Sequence, residues 1–294
     1  MSRNQDRLGL EDNPIQSEPT AATATVATAE AHSSSQAPTF NWSVPTEFVE
    51  LPSMGLFYPQ GHPLHKQKTA EIRYMTAKEE DILTSRALLK EGVALDRMLQ
   101  NLLVNGDIRV SSLLVGDKNA LLVAARKTGY GAEYETNVTC PACGETNEHS
   151  FDISDPPSND FIKKADEAGI SLANDSTVEI TLPMSQVKVV CRLMNSEDEI
   201  KLSKQLERKS KRKQDTGVTT DSFRAYIMSV NGDDSPFSIE SFIHAMPARD
   251  ARYLRNVYTS IVPNIDLTQL FECSSCGYST DMEVPLGVDF FWPK

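Results

Sequence analysis

The sequence predicts an α+β chain built twice over: a strand, several helices and a cysteine-bearing hairpin in each half. Three observations carry this expectation. Two Cys-x-x-Cys pairs, Cys140-Pro141-Ala142-Cys143 and Cys273-Ser274-Ser275-Cys276, each lie between strand-like stretches. The elements before each pair recur in the same order. An arm poor in large apolar side chains precedes the first copy.

Each half begins with a strand ending in Arg-x-Met, at Arg73-Tyr74-Met75 and Arg192-Leu193-Met194. A helix follows, opened by Thr76 with Glu79 in the first copy and by Ser196 with Glu199 in the second. Both pairs have capping-box spacing, in which a hydroxyl and a glutamate three residues on share the exposed N–H groups. Acidic residues crowd both first turns, where the helix dipole favours them. A second helix is predicted from Leu95, Met98, Leu99, Leu102 and Leu103, and its copy from Phe223, Tyr226, Ile227 and Val230. Both run into Val-Asn-Gly-Asp, at 104–107 and 230–233, where Asn-Gly suits a left-handed stop. A third helix is expected near Ser111–Leu114 and Ile239–Ala245, and a fourth near Asp117–Lys127 and Pro247–Val262. Gly129-Tyr130-Gly131 reads as a helix stop. Cys140 and Cys273 are separated by the same interval as Asp117 and Asp250, which supports duplication.

The expected boundaries are a disordered arm at 1–39, a first α+β half at 40–155, a connecting strand region at 156–186 and a second half at 187–294. Residues 1–39 carry too little apolar surface to offset the entropy of ordering. Phe40, Trp42 and Phe48 mark where folding starts.

Four of the five cysteines fall in the two matched pairs. A Gly after each second Cys, Gly144 and Gly277, suits a sharp turn with positive φ. Four thiolates are the ligand set of a closed tetrahedral zinc site. Structural Zn²⁺ on Cys140, Cys143, Cys273 and Cys276 is favoured over free thiols or a disulfide, because nothing in the first residues reads as an export signal. His149 stands near the first knuckle as a possible substitute ligand. Cys191 reads as a small buried hydrophobe. Such a zinc would join segments with 129 residues between them, 144–272. Structural zinc contributes about 10–16 kcal/mol of apparent binding free energy, against about 5–15 kcal/mol for a whole domain.

Composition narrows the function. The net charge of −12 argues against neutralising many phosphates on nucleic acid. Hydrophobic residues are 39% and mean hydropathy is −0.36, with no apolar run approaching the ~18 residues that span a bilayer. No phosphate-binding glycine loop and no nucleophile–base pair is present, so no enzymatic role is expected. The basic stretch Lys201, Lys204, Arg208, Lys209, Lys211, Arg212 and Lys213 reads mainly as the solvated end of a helix, with an acidic partner or nucleic acid as the other reading. Two aromatic segments are candidate partner contacts: Phe57 and Tyr58 in the loop 51–59, and Phe290, Phe291 and Trp292 at 290–293. The second is either docked on the body or held for a partner.

Leu51-Pro52-Ser53, Gly55 and Tyr58-Pro59, then Met75 to Leu83, Gly116 to Asn119, Thr128 to Gly131 and Val138 to Cys143 resemble, in that order, the baseplate hub and hub-assembly proteins of T-even-type contractile-tailed bacteriophages. The resemblance runs from about residue 45 to the C-terminus. It implies a late viral protein that helps build the hub of the tail baseplate through contacts with other tail proteins, present in the host cytoplasm during assembly and either retained in the virion tail baseplate or acting only as an assembly factor. A zinc-ribbon regulator binding nucleic acid is the alternative.

Overall fold

Strand β1 (Thr46–Glu50) is laid antiparallel on β2 (Thr69–Arg73), pairing Thr46 with Arg73 and Glu50 with Thr69. The computed structural model describes residues 43–170, 172, 177–211 and 217–291. The arm expected at 1–39 lies outside them, as do Phe40, Trp42, Arg212, Lys213 and Trp292. After β2 come α1 (Ala77–Thr84), α2 (Arg86–Glu91), α3 (Ala94–Leu102), a 3₁₀ turn at Val110–Ser112 and the long α4 (Val115–Tyr130). The hairpin β3 (Glu133–Thr139) and β4 (Thr146–Asp152) follows, then α5 (Phe161–Glu167). The next sheet holds β5 (Thr177–Thr181), β6 (Lys188–Arg192) and β7 (Ile227–Val230) in that order, all antiparallel. Between β6 and β7 lie α6 (Ser196–Lys211) and α7 (Val218–Tyr226). Helices α8 (Pro236–Ala245) and α9 (Ala248–Ile261) lead to a last hairpin, β8 (Thr268–Glu272) and β9 (Ser279–Glu283), and a 3₁₀ turn at Val288–Phe291.

Two buried aspartates hold the long helices in place. Asp117, in the first turn of α4, accepts from the Ser53 N–H (2.9 Å), the Ser53 hydroxyl (2.6 Å) and the Tyr58 hydroxyl (2.8 Å). Asp250, in the first turn of α9, accepts from the N–H groups of Met184 and Ser185, both at 2.9 Å. The donors lie in Leu51-Pro52-Ser53 after β1 and Leu182-Pro183-Met184-Ser185 after β5. Burial holds the Asp117 carboxyl above its ordinary range, whereas the Ser185 and Met184 donors outweigh burial at Asp250 and hold it below. The strand-end arginines are matched too. Arg73 donates to the Asn101 carbonyl (2.7 Å) and to Glu79 (2.9 Å). Arg192 donates to the Ala225 carbonyl (3.1 Å) and grips Asp198 with two nitrogens (2.6 and 2.8 Å).

Four local expectations are corrected. The helix predicted to run through Val230 stops at Tyr226, and Ile227–Val230 is strand β7. There β6 offers an open edge, and β-branched Ile227 and Val230 suit it. The third helix of the first copy is a single 3₁₀ turn. The second cap is Asn195 with Asp198, one residue earlier than Ser196 with Glu199. The Asn195 side chain accepts from the Asp198 N–H (3.0 Å), and Asp198 accepts from the Asn195 N–H (3.3 Å). Of the two Asn-Gly stops, only Asn231 (φ 49°) and Gly232 (φ 83°) are left-handed. At the first box Glu79 does reach back, accepting from the Thr76 N–H (3.0 Å) and hydroxyl (2.6 Å).

Residues 113–118 meet residues 194–199 directly. The Ser196 N–H donates to the Leu113 carbonyl (2.8 Å) and the Val115 N–H to the Met194 carbonyl (3.3 Å). Lys118, 7% exposed, reaches the Ser196 hydroxyl (3.0 Å), Glu199 (3.0 Å) and Asp96 (3.1 Å). Gly116 sits against the Pro263–Asn264 backbone, where a Cβ would lie 1.9 Å from the Pro263 carbonyl oxygen. No side chain other than hydrogen fits there. A single hydrophobic core runs from Leu51 and Ile72 through Leu121 and Ile180 to Leu254 and Phe271.

Candidate metal centre

The hairpins β3–β4 and β8–β9 each end in a cysteine knuckle, and the fold brings the two knuckles together. Thr139 pairs with Thr146 and Glu272 with Ser279, so each turn is closed by the last rung of its ladder. The turns share one hydrogen-bond pattern. The Cys140 N–H donates to the Glu145 carbonyl (2.8 Å) and the Gly144 N–H to the Cys140 carbonyl (2.9 Å). The Cys273 N–H donates to the Tyr278 carbonyl (2.8 Å) and the Gly277 N–H to the Cys273 carbonyl (2.9 Å). Gly144 (φ 76°) and Gly277 (φ 71°) take the left-handed conformation that closes each turn.

The four sulfur atoms lie within 4.8 Å of one another. Cys140 Sγ is 3.8 Å from Cys276 Sγ, and Cys143 Sγ is 3.8 Å from Cys273 Sγ. A disulfide needs about 2.05 Å, and these pairs stand well beyond it. Four sulfurs at about 2.3 Å from a central tetrahedral ion would be about 3.8 Å apart. The spacing therefore fits a metal and excludes a bond between the knuckles. Each knuckle gives one buried thiol, Cys140 or Cys273, and one exposed thiol, Cys143 or Cys276. Burial pushes the Cys273 thiol up, but N–H groups of Cys276 and Ser275 and the neighbouring thiols reverse this and bring it down to about 6. A backbone contact at Tyr278 lowers the Cys276 thiol, but Cys143 and burial outweigh it and push it up to about 12, so within the cluster Cys273 gives up its proton before Cys276.

Asn147, which the sequence reading passed over, ties the knuckles together. Its amide nitrogen donates to Cys273 Sγ (3.2 Å), and its amide oxygen accepts from the hydroxyls of Ser274 (2.7 Å) and Ser275 (2.9 Å). Such outer contacts orient metal ligands. Only a cross-hairpin register reveals this role, and one sequence does not give it. His149 is no ligand: its ring packs edge-on against Phe151 and Phe271, with centroids 4.6 and 5.3 Å away. Cys191 lies in β6, fully buried, with its thiol pushed up to about 12 by burial.

Of the aromatic candidates, Phe57 and Tyr58 lie inside the body, and Phe290 and Phe291 take the docked alternative. Phe57, Tyr58, Phe290 and Phe291 are 3%, 2%, 1% and 1% exposed. The Tyr58 hydroxyl serves Asp117 and accepts from the Leu114 N–H (3.1 Å). Phe290 packs edge-on against Tyr134 (5.0 Å) and Phe291 (5.4 Å). These four rings are core, and none is displayed for a partner. The basic stretch on α6 is partly neutralised from within. Lys209 pairs with buried Asp221 (2.6 Å), Lys201 with Glu197 (2.7 Å) and Lys211 with Glu207 (3.5 Å).

The fold is a mixed α and β body in which two facing cysteine hairpins could hold a metal ion. The family model of the T4 bacteriophage base plate protein matches residues 60–292, and the chain belongs to that family. It is thus a phage baseplate protein, and the family speaks against an enzyme. Neither a curated protein nor a solved structure matches it. Among the described residues no helix is long and apolar enough to cross a membrane.

Proposed function

We propose that this chain is a structural or assembly protein of the baseplate hub, working through contacts with other tail proteins in the host cytoplasm. The observation that carries the reading is the family match over 60–292, joined to the motif order from Leu51 to Cys143. One Zn²⁺ on Cys140, Cys143, Cys273 and Cys276 is the proposed staple. Sulfur spacings of 3.8 Å support it, and all-thiolate donor sets suit zinc among common ions. The staple joins two duplicated halves, 40–155 and 187–294, across the connecting region 156–186. Support for duplication comes from the twin buried aspartates, the twin strand-end arginines and the twin knuckles. With four protein ligands the ion has no open position for substrate, so its role is to hold the fold.

Tagged protein recovered from phage-infected cells tests the assignment. Tail proteins, identified by mass spectrometry and retained at high salt, are the expected companions. Nucleic acid recovered instead, and released as salt rises, would favour a zinc-ribbon regulator.

A further inference from the structure

Among the described residues, no strand lies beside the outer edge of β1. Its sheet consists of β1 and β2 alone, and among the described residues no backbone hydrogen bond leaves Thr46–Glu50 except toward β2. A groove of about 490 Å³ runs along that edge. Four consecutive residues, Glu47 to Glu50, line it. Successive strand residues point to opposite faces, so a groove touched by all four follows the backbone edge and not one face. Its floor is α4, through Ala120, Val123 and Ala124, side chains small enough for another backbone to approach. Phe48 stands at its rim, 69% exposed.

The charge of the groove is one-sided. Glu47, Glu50 and Asp155 face it, against the single cation Lys127. Glu47 Oε1 is buried there and accepts no hydrogen bond among the described residues. Burial raises its carboxyl, and Lys127 only partly compensates. A buried acceptor without a donor costs about 1–3 kcal/mol, so a donor is wanted at this spot.

We infer that the β1 edge is a docking site for an extended segment of a partner protein, added as a third strand, with an Arg or Lys seated against Glu47. Main-chain pairing at an open edge supplies affinity, and the pocket under alternate side chains supplies selectivity. The acidic lining selects a basic strand and turns away a second acidic copy of this chain. The inference needs neither the metal nor the hub assignment, since it rests on the groove alone.

The test uses the full chain and a fluorescent seven-residue peptide of alternating Val and Thr with a central Arg. Expected are saturable binding and slowed amide exchange over residues 46–50. Methylating alternate backbone nitrogens of the peptide, or replacing its Arg by Glu, should abolish binding. Glu47→Gln should weaken it about tenfold, and Ala124→Trp should block it with the melting temperature of the protein retained. No binding by the Arg peptide, or binding indifferent to N-methylation and to Glu47→Gln, would overturn the inference. Slow exchange in the chain alone at those amides of 46–50 that do not pair with β2 would also overturn it, by giving the edge to a segment of the chain itself.

Discussion

Cys273 and Cys191 are both buried, yet one is held near 6 by N–H donors and its thiol neighbours, while the other is pushed to about 12 by apolar surroundings. They should separate in one experiment. Cys273→Ser should abolish stoichiometric metal, measured by elemental analysis, whereas Cys191→Ser should keep it. In the native protein Cys191 should resist alkylation at neutral pH until the chain is unfolded. A second residue-scale prediction concerns Glu79, which is fully buried. Burial pushes its carboxyl up, but Thr76 and the Arg73 guanidinium more than offset this and hold it below the usual carboxylate range. A folded-state value below the unfolded one means stability that is complete above about pH 4.3 and lost as pH falls toward the depressed value. Glu79→Gln should cost about 3 kcal/mol at neutral pH. In urea titrations the difference from wild type should shrink below about pH 4.

Among the elements, α4 is the one on which both the loop after β1 and the later helices lean. It carries Asp117 for the first loop, Lys118 for α6 and Gly116 for the Pro263–Asn264 backbone. Gly116→Ala would normally favour a helix by about 1 kcal/mol. Here the added carbon would meet the Pro263 oxygen at 1.9 Å, so a loss of about 3 kcal/mol is expected, read by thermal or urea unfolding. The same helix explains why one cap was not legible. Ser196 with Glu199 has the spacing of a capping box, but Lys118 takes both side chains, leaving Asn195 and Asp198 to close the helix. Local spacing could not foresee a lysine arriving from 78 residues away. Strand β7 was missed for a related reason. Ile227 and Val230 fit a helical stripe, and only the open edge of β6 turns them into strand. The stripes of α3 and α9 were legible because their apolar positions, Met98, Leu99 and Leu102, and Leu254, Val257, Tyr258 and Ile261, are the buried ones.

On the scale of the whole molecule, the candidate metal site was legible to the residue, because cysteine spacing is set by the knuckle itself and little else disturbs it. The burial of Phe57 and Tyr58 was not legible, and the docked and displayed readings of Phe290 could not be separated, since a sequence shows that a ring is large and apolar but not which side of the surface it occupies. Removing the metal should be felt beyond the knuckles. Dialysis against a chelator should speed amide exchange in β3, β4, β8 and β9, and also at Leu113–Val115 and Asn195–Ser196, which hydrogen-bond to one another, measured by mass spectrometry. Confinement of the change to the four hairpin strands would limit the ion to a local role.

The knuckles also define how the molecule would bear load. With an ion in place, tension applied before β3 and after β9 passes from Cys140 and Cys143 through the metal to Cys273 and Cys276. Residues 144–272, with β5, β6 and α6 to α9 among them, are then bypassed and feel no pull. In a single-molecule stretching experiment the holo chain should give way in one late rupture, releasing a hidden length of roughly 440 Å for those 129 residues. The metal-free chain should pay out the same length earlier, in smaller steps. A protein seated in contractile machinery would in this way keep residues 144–272 mechanically slack while a single ion carries the strain.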